Sequence, residues 1–310
     1  MKTLIISPVH KQPTQEWVEA LKGKDVFIID DSNGKIDIPF ESHDYATQKK
    51  ELGKLYGEFT MFHKDAACKI YGLWQAYKRG YDNAIVLDSD CVIPDDFIDT
   101  HEKALRTKAH GWTNPLESIG WFSRGYPYSE RKKEVVANMG LWKNNLDING
   151  KDRIGKDVPK KIDINGTYIA HNEIPLCGMN LAIKRDAIPA LLFLPSYEWK
   201  WLDFKRYDDI FGGYIFEQIV KKMNGMITYG DPIVFHEDPV YPEQDAKEEE
   251  AMIFMEDTFY RAIDDLMAGI KGDTHKDIFA QFANRTDIFE GSAFEPMIKF
   301  IKFFKKLYEK

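Results

Sequence analysis

The stretch Ala84-Ile85-Val86-Leu87-Asp88-Ser89-Asp90-Cys91 decides the fold. Its apolar residues run straight into two carboxylates, Asp88 and Asp90, that flank a serine. A short continuous apolar run suits a strand buried on both faces of a parallel sheet. In such sheets ligands bind just beyond the carboxyl ends of the strands. Asp88 and Asp90 would sit there, able to reach one hard cation and the diphosphate it neutralises. An Asp-x-Asp triplet arises by chance in any acidic chain, so the strand before it carries the reading. The alternative is a solvated turn, with Pro94 opening the next helix.

Working outward, Thr3–Val9 reads as a first strand and 14–22 as a helix stopped by Gly23. Asp25–Ile29 reads as a second buried strand. Asp30-Asp31-Ser32-Asn33-Gly34 follows as a turn cluster. Residues 39–60 show no clear period. The spacing predicts a helix over His63–Tyr81 and another from Asp95 to about Lys108. Strands alternating with helices call for a mostly parallel central sheet flanked by helices, an α/β fold. The dinucleotide fingerprint G-x-G-x-x-G is absent after the first strand, which disfavours a dinucleotide domain. Carboxylates instead close the second strand and the central one, a pattern that fits a nucleotide-sugar site. Asp30 and Asp31 could accept hydrogen bonds from uracil or the ribose; simple turn chemistry explains them equally well.

From Gly111 to Pro175 the periodicity is lost, as in segments that shape a pocket or a subunit contact. Cys177–Lys184 reads as a strand, Asp186–Leu194 as a short helix, Tyr207–Asn224 as an amphipathic helix and Asp231–Asp238 as a last strand. Beyond Tyr241 the chain looks helical near 244–270, 274–284 and 294–309. The expected organisation is a nucleotide-sugar domain over residues 1–240 with a helical satellite over 241–310.

The chain has 310 residues, a formal charge of −8 and 44% hydrophobic residues, an ordinary soluble balance that argues against a general nucleic-acid surface. Cys68, Cys91 and Cys177 form neither a disulfide framework nor a zinc pattern, so a reducing compartment is expected. The N-terminal apolar run is too short for a signal peptide, and Pro189 breaks the longest apolar run, Ala187–Leu194. The expected location is cytoplasmic.

Four further groups could carry chemistry. His236 ends an apolar strand; it is either a satisfied core residue or, with Asp90, a ligand to a first-row ion such as Mn²⁺. Asp208 and Asp209 precede a helix, where they would cap it or face the sugar as base or acceptor. Arg124 and Arg131 flank an aromatic loop and would clamp a diphosphate, or simply form surface ion pairs. The segment Phe294–Lys310 carries Phe294, Ile298, Ile301 and Phe304 as one apolar stripe, with lysines around the rest. It would dock on the domain or on another subunit of a homo-oligomer; the alternative is peripheral contact with anionic lipid.

Taken together, Arg124–Arg131 (RGYPYSER), Gly140-Leu141-Trp142, Cys177–Ala182 (CGMNLA) and Arg206–Asp209 (RYDD) resemble segments of the reversibly glycosylated polypeptides, which include the UDP-arabinopyranose mutases. The likeness runs in order from about Thr3 to His236. It implies an A-type glycosyltransferase fold, a divalent cofactor (Mn²⁺ or Mg²⁺) and interconversion of UDP-arabinopyranose and UDP-arabinofuranose. It also implies glycosylation of the chain's own arginine, which by position is Arg124; Arg131 matches a second, structural arginine. The implied metal set is Asp88, Asp90 and His236. Catalysis is assigned to Arg124, Asp208 and Asp209, and substrate contacts to Pro8, Asp30, Asp31, Asp88, Tyr126, Arg131, Asn180 and Arg206. Two departures stand out: Ser89 where the family has aspartate, and Gly212-Gly213 after Phe211 where the family tends to tryptophan. The competing readings are a glycosyltransferase with an unknown acceptor and a non-catalytic nucleotide-sugar-binding subunit.

Overall fold

A computed structural model describes residues 1–309. Its strands are β1 (Thr3–Val9), β2 (Val26–Asp30), β3 (Glu41–His43), β4 (Asn83–Leu87), β5 (Cys91–Val92), β6 (Lys108–Ala109), β7 (Lys133–Lys143), β8 (Thr167–Ala170), β9 (Asn180–Lys184), β10 (Tyr197–Trp199), β11 (Leu202–Phe204) and β12 (Met226–His236). Its helices are α1 (Gln15–Leu21), α2 (Tyr45–Leu52), α3 (Tyr56–Phe59), α4 (Lys69–Lys78), α5 (Phe97–Arg106), α6 (Gly150–Arg153), α7 (Asp208–Lys222), α8 (Pro242–Glu248), α9 (Glu250–Met267), α10 (His275–Ala283) and α11 (Glu295–Glu309).

The central sheet runs β3-β2-β1-β4-β9-β7-β12-β5. The pairs β3–β2, β2–β1, β1–β4 and β7–β12 are parallel, whereas β9 runs antiparallel to both β4 and β7. The α/β architecture with a mostly parallel sheet is therefore the one expected. β2 and β4 are buried along their whole length, as their unbroken apolar runs require. α4 crosses this face where Gly72 lies against Ile6 and Ile29, too close for a side chain.

The differences from expectation have local causes. The helix predicted over His63–Tyr81 is α-helical only from Lys69. Lys64 takes a left-handed backbone, and Asp65 then caps a 3₁₀ turn by accepting a hydrogen bond from the Ala67 amide. The stretch without periodicity hides β7, an interior strand whose buried Asn138 and Gly140 interrupt the apolar run. Asn138 is satisfied there by His101, Thr228 and the Asp231 carbonyl, which costs little when every partner is present. β12 begins well before Asp231 and passes through Gly230 (φ +128°) and the cis Asp231-Pro232 bond, where its register shifts. The expected helix at Asp186–Leu194 is a 3₁₀ segment, Arg185–Ala190, containing Pro189.

The helical tail shares the core of the sheet domain. Phe259 of α9 stacks on Phe211 of α7 at 3.9 Å, and Phe303 of α11 packs on Phe62 at 5.2 Å. Phe300, Ile301, Phe303, Phe304 and Leu307 are buried, so the apolar face of α11 is spent inside the chain. Lys310, the end of the stripe segment, lies outside the described residues. Among the described residues no helix is long and apolar enough to cross a membrane. Truncating Phe303 to alanine opens a cavity between α11 and the sheet domain and should cost about 3–5 kcal/mol. Urea unfolding measures this; an unchanged midpoint would mean that the tail docks only loosely.

Candidate active site

β4 ends at Leu87, and the Asp88 amide still donates to the Met179 carbonyl at 3.1 Å. The chain then turns, the Cys91 amide donating to the Asp88 carbonyl at 3.2 Å, and re-enters the sheet as β5 beside the end of β12. This pairing sets Cys91 opposite His236 and brings Asp90 Oδ2 within 3.1 Å of His236 Nε2. The other ring nitrogen, Nδ1, lies 3.1 Å from the Asn145 carbonyl and must donate to it. Nε2 of a neutral ring then faces the carboxylate as a second acceptor, so the pair requires a proton or a metal ion between them. Burial alone would lower the His236 pKa and raise that of Asp90; their mutual attraction reverses both.

A cleft of about 590 Å³ opens above this turn, lined by Pro8, His10, Lys11, Asp31, Lys35, Lys64, Asp88 and Asp90 among others. Against five lining carboxylates, Asp31, Asp65, Asp88, Asp90 and Asp238, it carries Lys11, paired with Asp238 at 2.7 Å, and Lys35 and Lys64, the rim cations placed to meet a diphosphate. Sequence reasoning passed over them because isolated surface lysines carry no spacing signal.

It also passed over Lys69, which is buried at the start of α4 with Nζ 2.8 Å from Asp88 Oδ1. This is an ion pair at hydrogen-bond distance, though off the alignment of a good hydrogen bond. Burial would lower the Lys69 pKa, but Asp88, Asp208 and Asp209 together raise it above its ordinary value. Asp208 and Asp209 open α7 beside this lysine. Asp209 Oδ2 accepts from the Gly178 amide at 2.7 Å, and an added Cβ on Gly178 would lie 3.5 Å from Lys69 Nζ. Burial, then the charge of Asp209, pushes the Asp208 carboxyl well above its ordinary range.

The remaining residues divide. Asp31 lines the cleft and accepts from the Tyr45 hydroxyl at 2.7 Å. Asp30 faces its own turn, accepting from the Ser32 amide and hydroxyl and the Gly34 amide. Asn180 is fully buried and pins three strands, bonded to His101 and to the Leu141 and Pro232 carbonyls. Arg206 joins the entry of α7 to the tail through Glu249 and Asp245.

Arg124, Tyr126 and Arg131 are not brought to the cleft. Ile183 of β9 pairs with both Ala84 and Ala137, so β4 and β7 run the same way at that level. Lys133 lies four residues before it and Asp88 four after. Eight residues of strand place the two ends about 26 Å apart. The loop 110–132 enters at the Lys133 end. There Tyr126 is buried, its hydroxyl bonded to the Trp112 backbone, and the Arg131 guanidinium stacks on Tyr128 at 3.9 Å. Arg124 is exposed. A second cavity of about 200 Å³ opens at this end, lined by His171, Glu217 and Lys221.

The profile of the reversibly glycosylated polypeptides matches residues 3–299, and the chain belongs to that family. It is an enzyme of this family, and its match extends into the helical tail. It is 24% identical over 315 residues to a probable UDP-arabinopyranose mutase 4 of Arabidopsis thaliana, covering 94% of this chain and 83% of that protein. With UDP-arabinopyranose mutase 2 of the same plant it shares 26% over 263 residues, 78% of this chain and 71% of the other. Among solved structures, glucosyl-3-phosphoglycerate synthase from Mycobacterium tuberculosis with Mg²⁺ and UDP aligns at a TM-score of 0.42 and 11% identity, over 82% of this chain and 78% of that one.

Two measurements test the electrostatics. Lys69→Met strands the Asp88 charge and should destabilise the fold by about 3 kcal/mol, the low end for a broken buried pair because Asp88 keeps some solvent. Equal stability of variant and wild type would show that Asp88 needs no partner. Glu217 is buried, and desolvation pushes its carboxyl up to about 8 from 4.5. Between those values the folded chain holds a proton that the unfolded chain has lost. Stability should therefore fall with rising pH, by about 1.4 kcal/mol per unit, until the folded group ionises. Glu217→Gln should flatten that slope in denaturation curves taken from pH 5 to 8.

Proposed function

We propose that the chain is a UDP-sugar mutase, binding a UDP-pentose and a divalent cation in the cleft and interconverting pyranose and furanose forms. The observation that carries this is the meeting of Asp90 and His236 across β5 and β12, with Asp88 one residue removed at the cleft floor. Carboxylate oxygens with one imidazole fit a first-row divalent ion. Asp88, Asp90 and His236 would hold that ion, whose charge would offset the negative charge on departing UDP.

The chain's own residues supply the rest. Lys69 fixes the Asp88 carboxylate, and the lysine rim attracts the diphosphate. In ring contraction the Arg124 nitrogen gives up a proton and bonds to the anomeric carbon as that carbon's bond to UDP breaks. The bond to the old ring oxygen opens, another hydroxyl closes onto that carbon, and UDP returns as the arginine nitrogen leaves and takes its proton back. The old ring oxygen gains a proton and the new one loses a proton, so one group that both gives and takes is sufficient. Asp208, its carboxyl held above the ordinary range by burial and Asp209, fits that role, with Asp209 held by Gly178 as acceptor for sugar hydroxyls.

Arg124 stands at the far end of its own sheet, beside exposed Trp121 and Tyr128. In this reading it serves the cleft of a second copy, so the active unit is a homo-oligomer and glycosylation of Arg124 passes between chains. An ordinary transferase would use the same cleft and need a separate acceptor.

Asp90→Ala and Arg124→Lys should each lose interconversion of UDP-arabinose in the presence of Mn²⁺, assayed by chromatography without acceptor. Co-expressed as mixed oligomers they should recover part of it, with pentose found by mass spectrometry on Arg124 of the Asp90→Ala chain. Full activity of Arg124→Lys alone would remove the arginine from the mechanism. Product only when an acceptor is added would establish the transferase.

A further inference from the structure

A second cluster of metal-ligating side chains lies at the Lys133 end of the sheet, and nothing in the proposed reaction uses it. His110 follows β6, Glu117 opens a 3₁₀ turn in the Arg124 loop, and His171 follows β8. One ligand atom from each lies within 4.8 Å of the other two. The His110 Nε2–Glu117 Oε2 separation is 3.3 Å, and the two imidazole rings are 5.2 Å apart between centroids.

We propose that His110, Glu117 and His171 bind a borderline-soft transition-metal ion of the Zn²⁺ class, which clamps the Arg124 loop to the end of β8. Bonds of about 2.0–2.1 Å to a tetrahedral ion set its ligand atoms about 3.3 Å apart, the spacing His110 and Glu117 already have. As no ligand atom is more than 4.8 Å from another, inward movement of the remaining ligand by at most about 1.5 Å closes the set. Two imidazoles and one carboxylate select Zn²⁺ and its first-row neighbours over Mg²⁺ or Ca²⁺, and leave a fourth position for water.

An independent observation points the same way. His110 Nε2 and His171 Nδ1 are both shielded from solvent, and neither makes a hydrogen bond. His110 as a whole is only 9% exposed. Buried polar atoms are almost always paired, and two such nitrogens beside one carboxylate are what an absent cation leaves behind. The loop's ties are largely internal, Tyr126 to Trp112 and Asn114 to the Trp121 carbonyl, while Trp112, Ile119, Trp121 and Tyr128 are exposed. A bond from His110 and Glu117 to His171 would tie it to the end of β8. This proposal is independent of the chemistry in the cleft, which lies at the other end of β7.

The test uses the full chain, stripped with chelator and titrated with Co²⁺ and Zn²⁺. Wild type should bind at least one equivalent of Zn²⁺ in competition with a chromophoric chelator, with one equivalent retained by Asp90→Ala, and develop the visible ligand-field bands of four-coordinate Co²⁺. Zn²⁺ should also slow proteolytic cleavage within 111–131. Glu117 is exposed, so Glu117→Gln should fold normally by circular dichroism. Losing an outer-shell partner alone weakens a site by about 10–100-fold, so Glu117→Gln and His171→Ala should each weaken Zn²⁺ at least that much. Asp90→Ala should leave it unchanged. Undiminished affinity in both loop variants, or no stoichiometric binding by wild type, overturns the proposal. Loss in Asp90→Ala instead would place the ion in the cleft and overturn it equally.

Discussion

The buried ammonium of Lys69 is the interaction on which the cleft depends. It joins three pieces of chain distant in sequence: the start of α4, the end of β4 and the entry of α7. Asp88, Asp208 and Asp209 would repel one another if brought together without it, and each would protonate or move into solvent. Even with the cation in place, burial raises the Asp88 carboxyl above its ordinary range, and burial with the charge of Asp209 raises Asp208 well above it. One lysine thus holds together carboxyls that differ in how readily they take a proton, as a site that must both hold a cation and move a proton requires.

A second constraint acts through the sheet. β9 runs against its neighbours, and Asn180 at its start reaches across to β7 and to the irregular middle of β12. His101 completes this network from α5, bonded to Asn180 and Asn138, and burial pushes its pKa down to about 4, so it stays neutral. Such fully paired buried groups fix register more sharply than apolar packing does. Here they set the path of β12, and hence the place where His236 arrives beside Asp90. Asn180, expected among substrate contacts, sits in this network rather than at the cleft wall.

The two ends of the sheet differ in chemical character. One gathers hard oxygen donors and lysines around the cleft. The other gathers imidazoles, aromatic rings and the exposed Arg124. The tail contributes phenylalanines to the same core, Phe303 against Phe62 and Phe259 against Phe211.

The sequence by itself determined the local facts. Unbroken apolar runs identified β1, β2 and β4, the carboxylates after β4 marked a ligand site, and the helical period marked most of the tail. These are nearest-neighbour properties, written in the spacing of the residues that show them. The tertiary structure alone decided the rest. β7 was hidden because its polar residues are satisfied by partners on other strands. Lys69 was hidden because a lysine in a helix looks solvated until three carboxylates converge on it. The position of Arg124 is fixed by strand direction: the antiparallel β9 makes β7 run with β4, so the loop leading into β7 must lie at the end of the sheet away from Asp88. Direction and pairing are properties of the assembled sheet, and no stretch of chain carries them alone.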